Sequence, residues 1–234
     1  MTKAVFFDAG HTLLYAHPDI GSVYSHATAT FGVALAPERF AETFVPVFKE
    51  TTKIYSQTKT ASDAQDLEMW RDITRRIYDR LPGLSGIRFE AWFETLYRRF
   101  GEPEVWRFYD DVESVLAALR ARGLKIGVVS NWDTRLKIIC DGLGLTRLVD
   151  FIVISAEVGV RKPDPGIFRM ALEKAGVRPE DAIHVGDLPE EDAEGARRAG
   201  VTPVLIDRRK RITPALLPSD VRVVSSLSDL LTLL

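Results

Sequence analysis

Residues 3–14 read KAVFFDAGHTLL, a short apolar run that ends on a carboxylate and continues into a glycine-containing turn. The apolar run predicts a buried strand, after which Asp8 lies at the carboxyl edge of a sheet. Ligands bind at this edge in open α/β folds. Two residues further on, where a second carboxylate would face the same site, the chain has Gly10. The stretch therefore predicts a sheet-edge site that holds one carboxylate in place of two.

The composition is that of an ordinary globular protein. Of the 234 residues, 46% are hydrophobic and 27% are charged. The net charge of −2 gives no reason to expect nucleic acid or a membrane surface as a partner. No apolar run is long enough for a transmembrane helix, and the first residues lack a signal-peptide pattern. The single cysteine, Cys140, excludes an internal disulfide, and we expect a cytoplasmic protein.

Short β-branched runs alternate with amphipathic helical patterns through the second half of the chain. Continuous apolar runs of this kind indicate strands that are buried on both faces of a parallel sheet. Asp164 and Pro165 are typical of the cap and first residue of one intervening helix. The pattern predicts an α/β fold with a doubly wound, Rossmann-like parallel sheet. The predicted strands are Lys125–Ser130, Phe151–Ser155, Ala182–Gly186 and Thr202–Asp207.

Residues 16–101 break this alternation, because apolar and aromatic side chains recur there only at helical spacing. We therefore predict a core domain of residues 1–15 and 102–234, with residues 16–101 inserted after the first strand as an all-helical cap domain. Such a cap lies above the carboxyl edge of the sheet, where it can act as a lid. We expect four of its aromatic residues to pack in the cap interior, away from substrate: Phe31, Phe44, Trp70 and Trp92.

Polar side chains with matching chemistry follow the predicted strands. Asp8, Ser130 and Lys162 each come after a strand, and Asp187 and Asp192 follow a fourth. Because parallel strands end at the same edge, these groups can converge on one crevice. A carboxylate, a hydroxyl, an ammonium and an acidic pair suit a phosphoryl group bound with Mg²⁺. An aspartate in such a site can form an aspartyl-phosphate.

In their order and spacing these motifs resemble the haloacid dehalogenase-like (HAD) hydrolases that carry a helical cap between motifs one and two. The resemblance covers nearly the whole chain. It implies that Asp8 is the nucleophile and that Ser130 and Lys162 are catalytic and bind phosphate. We add Asn131 and Thr12 as candidate phosphate-binding residues.

The same resemblance implies a Mg²⁺ cofactor. Its ligands would be Asp8, Asp187 and the backbone carbonyl of Gly10, with Asp192 directly behind them. Most phosphatases of the family carry an aspartate at the position of Gly10, where it serves as general acid and base. Proton transfer of this kind contributes about 10²–10⁴-fold to the rate, and glycine cannot supply it. The metal site is expected to survive, because any residue offers the carbonyl.

Three explanations of Gly10 remain open. His11 can replace the missing acid, since a free imidazole titrates near pH ~6.5, although adjacent residues in an extended turn tend to point apart. Alternatively, the substrate is an aryl or acyl phosphate, whose leaving group needs no proton. The third explanation is different chemistry. Dehalogenases lack the second aspartate but need no metal, which fits poorly with the acidic run at 187–192. Carbon–phosphorus hydrolases use a cap lysine, and Lys49, Lys53 and Lys59 show no sign of desolvation.

The expected function is thus a Mg²⁺-dependent hydrolase, a phosphatase acting on a small phosphorylated metabolite. We expect no nucleic-acid or membrane partner, and a monomer or homodimer. Gly10 also keeps open a phosphate-binding or regulatory protein with little turnover.

Overall fold

The computed structural model describes residues 1–55, 58 and 60–234. Two sets of strands are present, a parallel sheet in the order β5-β4-β1-β6-β7-β8 and a ribbon of β2 and β3. The strands are β1 (Ala4–Phe7), β2 (Leu14–Ala16), β3 (Trp106–Phe108), β4 (Lys125–Ser130), β5 (Phe151–Ile154), β6 (Ala182–Gly186), β7 (Thr202–Ile206) and β8 (Arg222–Val224).

Helices cover both faces of the parallel sheet, which confirms the predicted doubly wound α/β class. The α-helices of the described residues are α1 (Ile20–Ala29), α2 (Pro37–Tyr55), α3 (Asp63–Arg80), α4 (Phe89–Arg99), α5 (Val112–Ala121), α6 (Arg135–Leu143), α7 (Ser155–Val158), α8 (Pro165–Ala175), α9 (Gly195–Arg198) and α10 (Leu227–Leu230). In the described part of the chain, no helix is long and apolar enough to cross a membrane.

Strand β1 lies in the middle of the sheet, in parallel register with β4 on one side and β6 on the other. Phe7 is aligned with Val128 and Val185, and the amide of Asp8 continues the ladder by donating to the carbonyl of Val185 at 2.9 Å. The ends of β1, β4 and β6 therefore meet at one edge, as the sequence predicts.

Helices α1 to α4 pack around an apolar cluster of their own, distinct from the two clusters that flank the sheet. Trp92 is fully buried there, and its indole nitrogen donates to the hydroxyl of Thr28 at 2.9 Å. The predicted packing role of the four aromatics is confirmed: Phe44 and Trp92 are buried in this cluster, and Phe31 and Trp70 pack against it. The domain boundaries at 15/16 and 101/102 stay a prediction.

Three of the contacts that join the helical region to the sheet region involve the β2–β3 ribbon and helix α3. The ribbon of β2 and β3 pairs Ala16 with Trp106. Near the start of α3, the Ala61 amide donates to the carbonyl of Gly159 at 3.1 Å. The third place is a set of side-chain contacts between α3 and the loops after β4 and α7. All three lie near the carboxyl edge of the sheet.

Candidate active site

Asp8 is the centre of the polar cluster at this edge. It is buried at the end of β1, and its Oδ1 accepts two hydrogen bonds. The hydroxyl of Ser130, at the end of β4, donates at 3.0 Å, and Nζ of Lys162 donates at 2.7 Å. Two side chains that lie 122 and 154 positions after Asp8 in the sequence thus converge on one of its oxygens.

Lys162 is enclosed between two carboxylates, with only 1% of its side chain exposed. Its Nζ lies 2.7 Å from Oδ1 of Asp8 and 2.6 Å from Oδ1 of Asp192. Burial alone would lower the pKa of this ammonium, but the charges of Asp192 and Asp8 outweigh burial and raise it. The site therefore contains a cation that stays protonated beside the carboxylate of Asp8.

Both oxygens of Asp192 are occupied by protein donors. Oδ1 contacts Nζ of Lys162 and Nε2 of His184 at 2.8 Å, and Oδ2 accepts from the Leu188 amide at 2.9 Å. Burial raises the pKa of Asp192, but the charge of Lys162 and the bond from His184 reverse the shift and lower it. A Cβ at Gly186 would lie 2.1 Å from the Asp192 carboxyl carbon, so only glycine fits there.

Asp187 forms no ion pair with a cationic side chain among the described residues, although the charge of Lys162 acts on it. Its pKa is raised to about 8 by burial first and then by the negative charges of Asp8 and Asp192. The pKa of Asp8 is also raised, by burial and by Asp192, against the opposing effect of Lys162. Two carboxylates that repel each other in this way favour a bound cation between them.

The donors at this edge fit Mg²⁺ in their chemistry. Asp8 and Asp187 offer carboxylate oxygens and Gly10 a backbone carbonyl, and Mg²⁺ commonly takes one or two carboxylates together with water and substrate oxygens. No group of three or more His, Cys, Asp or Glu residues within the described ranges is arranged to hold a metal by itself. The protein groups therefore fit the ion as a partial ligand set.

The turn after Asp8 leaves open space at Gly10. A Cβ built there would meet only the ring of Trp132, at 3.4 Å, and the backbone is not left-handed. His11 has a φ of 56° and its side chain is exposed. Desolvation by nearby protein, together with the charges of Arg209 and Arg211, lowers the pKa of His11 to about 4. At pH 7 the imidazole is then neutral and a much weaker acid than an imidazolium, which weakens its predicted role as the substitute acid.

Thr12 and Asn131 differ in their availability to a ligand. The Thr12 hydroxyl is fully buried and has no hydrogen-bond partner in the described part of the protein, so its bonding capacity is unused. Asn131 uses both amide hydrogens, donating to the Lys162 carbonyl at 2.9 Å and to Oε2 of Glu191 at 2.8 Å. Its Oδ1 accepts from the Lys162 amide at 2.8 Å. In this structure Asn131 positions Lys162, and phosphate contact by its amide group would require these bonds to break.

A model of the haloacid dehalogenase-like hydrolase family matches residues 2–200. The chain belongs to this family. Haloacid dehalogenase-like hydrolase domain-containing protein 3 of Mus musculus is 31% identical over 232 residues, covering 98% of this chain and 92% of the relative. The HAD membership makes the protein a hydrolase, as the motifs predict.

Two further comparisons show the range of HAD relatives. A phosphoserine phosphatase of Thermus thermophilus is 42% identical over 127 residues, which cover 53% of this chain and 50% of the relative. The crystal structure of the HAD-hydrolase YfnB from Bacillus subtilis has a TM-score of 0.76 at 15% identity, covering 99% of this chain and 98% of that one. At that identity the second comparison shows the shared fold only.

Sequence analysis of this HAD protein missed several residues around the motifs. His184 is fully buried, and the detectable signal was a polar residue inside an otherwise apolar strand. Glu191 was noted only as part of an acidic run, yet it bonds Asn131, and burial raises its pKa to about 7. Arg208, whose guanidinium donates to the Thr12 carbonyl at 2.9 Å, opens a basic run that was not considered.

Among the described residues, none of the cap lysines named as candidates for carbon–phosphorus chemistry is buried. Lys49 and Lys53 are exposed on α2, while Lys59 lies outside the described residues.

Proposed function

We propose that this HAD hydrolase is a Mg²⁺-dependent phosphatase that acts on a small phosphorylated metabolite through an aspartyl-phosphate on Asp8. The observation that carries the proposal is the convergence of Lys162 and Ser130 on Oδ1 of Asp8. Within the described residues, every hydrogen bond to this carboxylate falls on Oδ1, so Oδ2 is available as the attacking oxygen. A phosphate-binding protein without turnover has no need of such an arrangement.

The chain's own residues divide the chemistry between them. Oδ2 of Asp8 attacks phosphorus, the bond to the leaving oxygen breaks, and water later cleaves the acyl phosphate to release inorganic phosphate. Lys162, with its raised pKa, and the hydroxyls of Ser130 and Thr12 hold the phosphoryl oxygens. When bound by Asp8, Asp187 and the Gly10 carbonyl, Mg²⁺ supplies further positive charge beside the phosphoryl group.

Gly10 narrows the class of substrate. With no carboxylate at position 10, and with the pKa of His11 lowered to about 4, neither of these two positions offers a general acid for a poor leaving group. Substrates with stable leaving groups, such as aryl or acyl phosphates, therefore react faster than alkyl phosphates. The phosphatase name of a relative with 42% identity supports phosphoryl chemistry, but the match spans half of each chain, so we do not extend its substrate to this protein.

Hydrolysis of p-nitrophenyl phosphate tests the proposal. We expect turnover by the wild-type protein with Mg²⁺, and none above background with a chelator or with Asp8→Asn. Activity that persists in Asp8→Asn or without metal would overturn the mechanism.

A phosphate-binding or regulatory role remains the second candidate, and it rests on Gly10. It predicts that the wild-type protein binds inorganic phosphate but leaves p-nitrophenyl phosphate intact. A dehalogenase is disfavoured by the repelling carboxylates of Asp8 and Asp187, which a site without a cation has no reason to keep. A cytoplasmic location and a monomeric or homodimeric state stay predictions.

A further inference from the structure

A run of four basic residues, Arg208–Arg211, follows β7 at the same edge of the sheet as the candidate active site. Strand β7 pairs with β6, whose end leads to Asp187. The loop after β7 is therefore placed beside the motif that carries the acidic pair, although none of its residues belongs to the four motifs.

Arg208 fastens this loop to the turn after Asp8. Its guanidinium donates to the Thr12 carbonyl at 2.9 Å and forms an ion pair with Asp111 at 2.9 Å. The same group lies over the ring of Tyr109, 3.8 Å from its centroid. With its side chain 12% exposed, Arg208 is a structural anchor, and it leaves the following basic residues close to Thr12.

The remainder of the loop has a defined shape. The Asp207 carboxylate accepts from the amides of Arg211 at 2.9 Å and Ile212 at 2.6 Å, which closes a turn. Lys210 adopts a left-handed backbone with a φ of 54°. An anchor at one end of the turn and two amide bonds at the other hold the backbone from which its side chains extend.

Arg209 and Arg211 carry positive charges that no acidic side chain neutralises. Both are exposed, and both lie within three residues of Arg208, whose guanidinium is bonded to the Thr12 carbonyl in the turn after Asp8. Neither takes part in an ion pair with any described residue, whereas exposed arginines elsewhere, such as Arg197 and Arg198, pair with Glu194. The planar guanidinium matches a carboxylate or phosphate with two parallel hydrogen bonds.

We propose that Arg209 and Arg211 bind a second anionic group of the substrate, a carboxylate or phosphate at the end remote from the reacting phosphoryl group. The inference rests on the proposed function and specifies its substrate class: small phosphorylated acids or bisphosphates. Arg209 and Arg211 are then specificity-determining residues, and Arg208 positions them.

Two phosphonates that differ only in one charge test this proposal, 3-phosphonopropionate and its terminal amide. Their dissociation constants are measured by titration calorimetry with Mg²⁺ present. The wild-type protein is expected to bind the acid about tenfold more tightly, the contribution of one charge-assisted hydrogen bond. In R209A/R211A the affinity for the acid is expected to fall to that for the amide. R120A/R178A removes two positive charges from surface positions that precede β4 and β6, and it should keep the tenfold ratio.

Any of three results would overturn the proposal. The wild-type protein could bind the acid and the amide equally, R209A/R211A could keep the tenfold affinity ratio, or R120A/R178A could lose that ratio to the same extent. A failure of both phosphonates to bind would overturn it as well. Because the affinity ratio needs no turnover, it is independent of the p-nitrophenyl phosphate assay. If the enzyme hydrolyses p-nitrophenyl phosphate but binds the two phosphonates equally, only this inference is wrong. If the protein is inactive on p-nitrophenyl phosphate, the proposed function is wrong.

Discussion

The ammonium of Lys162 is almost fully buried, and its ion pairs with Asp8 and Asp192 compensate for much of its lost hydration. A buried charge that loses its partner is strongly destabilising, because the desolvation cost is no longer compensated. In this cluster the partners are carboxylates that also repel Asp187. We therefore expect Lys162 to stabilise the fold in addition to its proposed role in binding phosphate.

We expect Lys162→Met to lower the free energy of unfolding by about 3–5 kcal/mol, since it leaves two buried carboxylates without their cation. Urea denaturation measures the change. Lys125→Met is the matched control, because Lys125 pairs with Asp150 at the surface and should cost only about 0–1 kcal/mol. Equal losses in the two variants would contradict the structural role of Lys162.

Gly10→Asp is expected to raise kcat on glycerol phosphate by about 10²–10⁴-fold, because it restores a proton donor for a poor leaving group. The backbone at Gly10 is not left-handed, and a new Cβ meets only the Trp132 ring. Steady-state kinetics on glycerol phosphate and p-nitrophenyl phosphate measure the effect, which should be smaller on the aryl ester. Gly10→Ala controls for the added side chain, and an equal gain in Gly10→Ala would rule out proton transfer as the cause.

The strand-end residues of the site were accessible to sequence analysis, since an apolar run predicts where a strand ends and parallel strands end together. Asp8, Ser130 and Lys162 were found in this way and do meet. The bonds of Asn131 to Glu191 and to the Lys162 backbone were not predictable, because they depend on the paths of two loops. Spacing along the chain carries no information on such contacts.

Helix α3 is the element that connects the helical region to the motif loops. At its first residue, both oxygens of Asp63 accept from Thr134, from the amide at 2.8 Å and the hydroxyl at 2.9 Å. One turn later, Asp66 pairs with Arg161 at 2.8 Å, and both side chains are buried. Arg161 directly precedes Lys162, so this ion pair links the position of α3 to that of the loop that carries Lys162.

Arg161→Met is expected to destabilise the protein by about 3–5 kcal/mol, because Asp66 is left as an unpaired buried carboxylate. The double variant Asp66→Leu/Arg161→Met should recover most of the loss, since apolar pairs often replace buried ion pairs at little cost. Urea denaturation of the two variants measures both effects. If the double variant is no more stable than Arg161→Met, the loss in the single variant does not come from the unpaired Asp66.

The longer elements matched the sequence pattern closely. Strands β4 and β6 have the predicted bounds, and β5 and β7 are one residue shorter at their ends. Helix α8 begins at Pro165, and Asp164 caps it by accepting from the Gly166 amide, as predicted. Strands β2, β3 and β8 were missed, because three residues are too few for alternation to be recognised. Their pairing is determined by tertiary contacts.

At the scale of the whole molecule, the carboxyl edge collects negative charge that the fold does not fully neutralise. An ion that binds the folded state alone stabilises the entire protein through mass action. Global unfolding therefore reports on a site formed by only a few side chains.

We expect Mg²⁺ at about one hundred times its Kd to stabilise the protein by about 2.7 kcal/mol, which raises the Tm by roughly 5–11 °C for a chain of this size. Differential scanning calorimetry with and without the ion measures the shift. Asp187→Asn should abolish most of it, because it removes one of two carboxylate ligands. The same shift in Asp187→Asn would place the ion elsewhere.

The ribbon of β2 and β3 determines how far the segment between these two strands can vary. Ala16 and Trp106 are paired across it, so the chain leaves the sheet region and returns to it at neighbouring points. Opposed residues of an antiparallel pair lie about 4.5–5.5 Å apart, a gap that a tight turn can close. The intervening segment can therefore change in length without altering the spacing of β2 and β3, as long as the contacts of Asp63 and Asp66 with Thr134 and Arg161 are kept. Variation elsewhere in the helical region thus leaves the position of Asp8, the proposed nucleophile, unchanged.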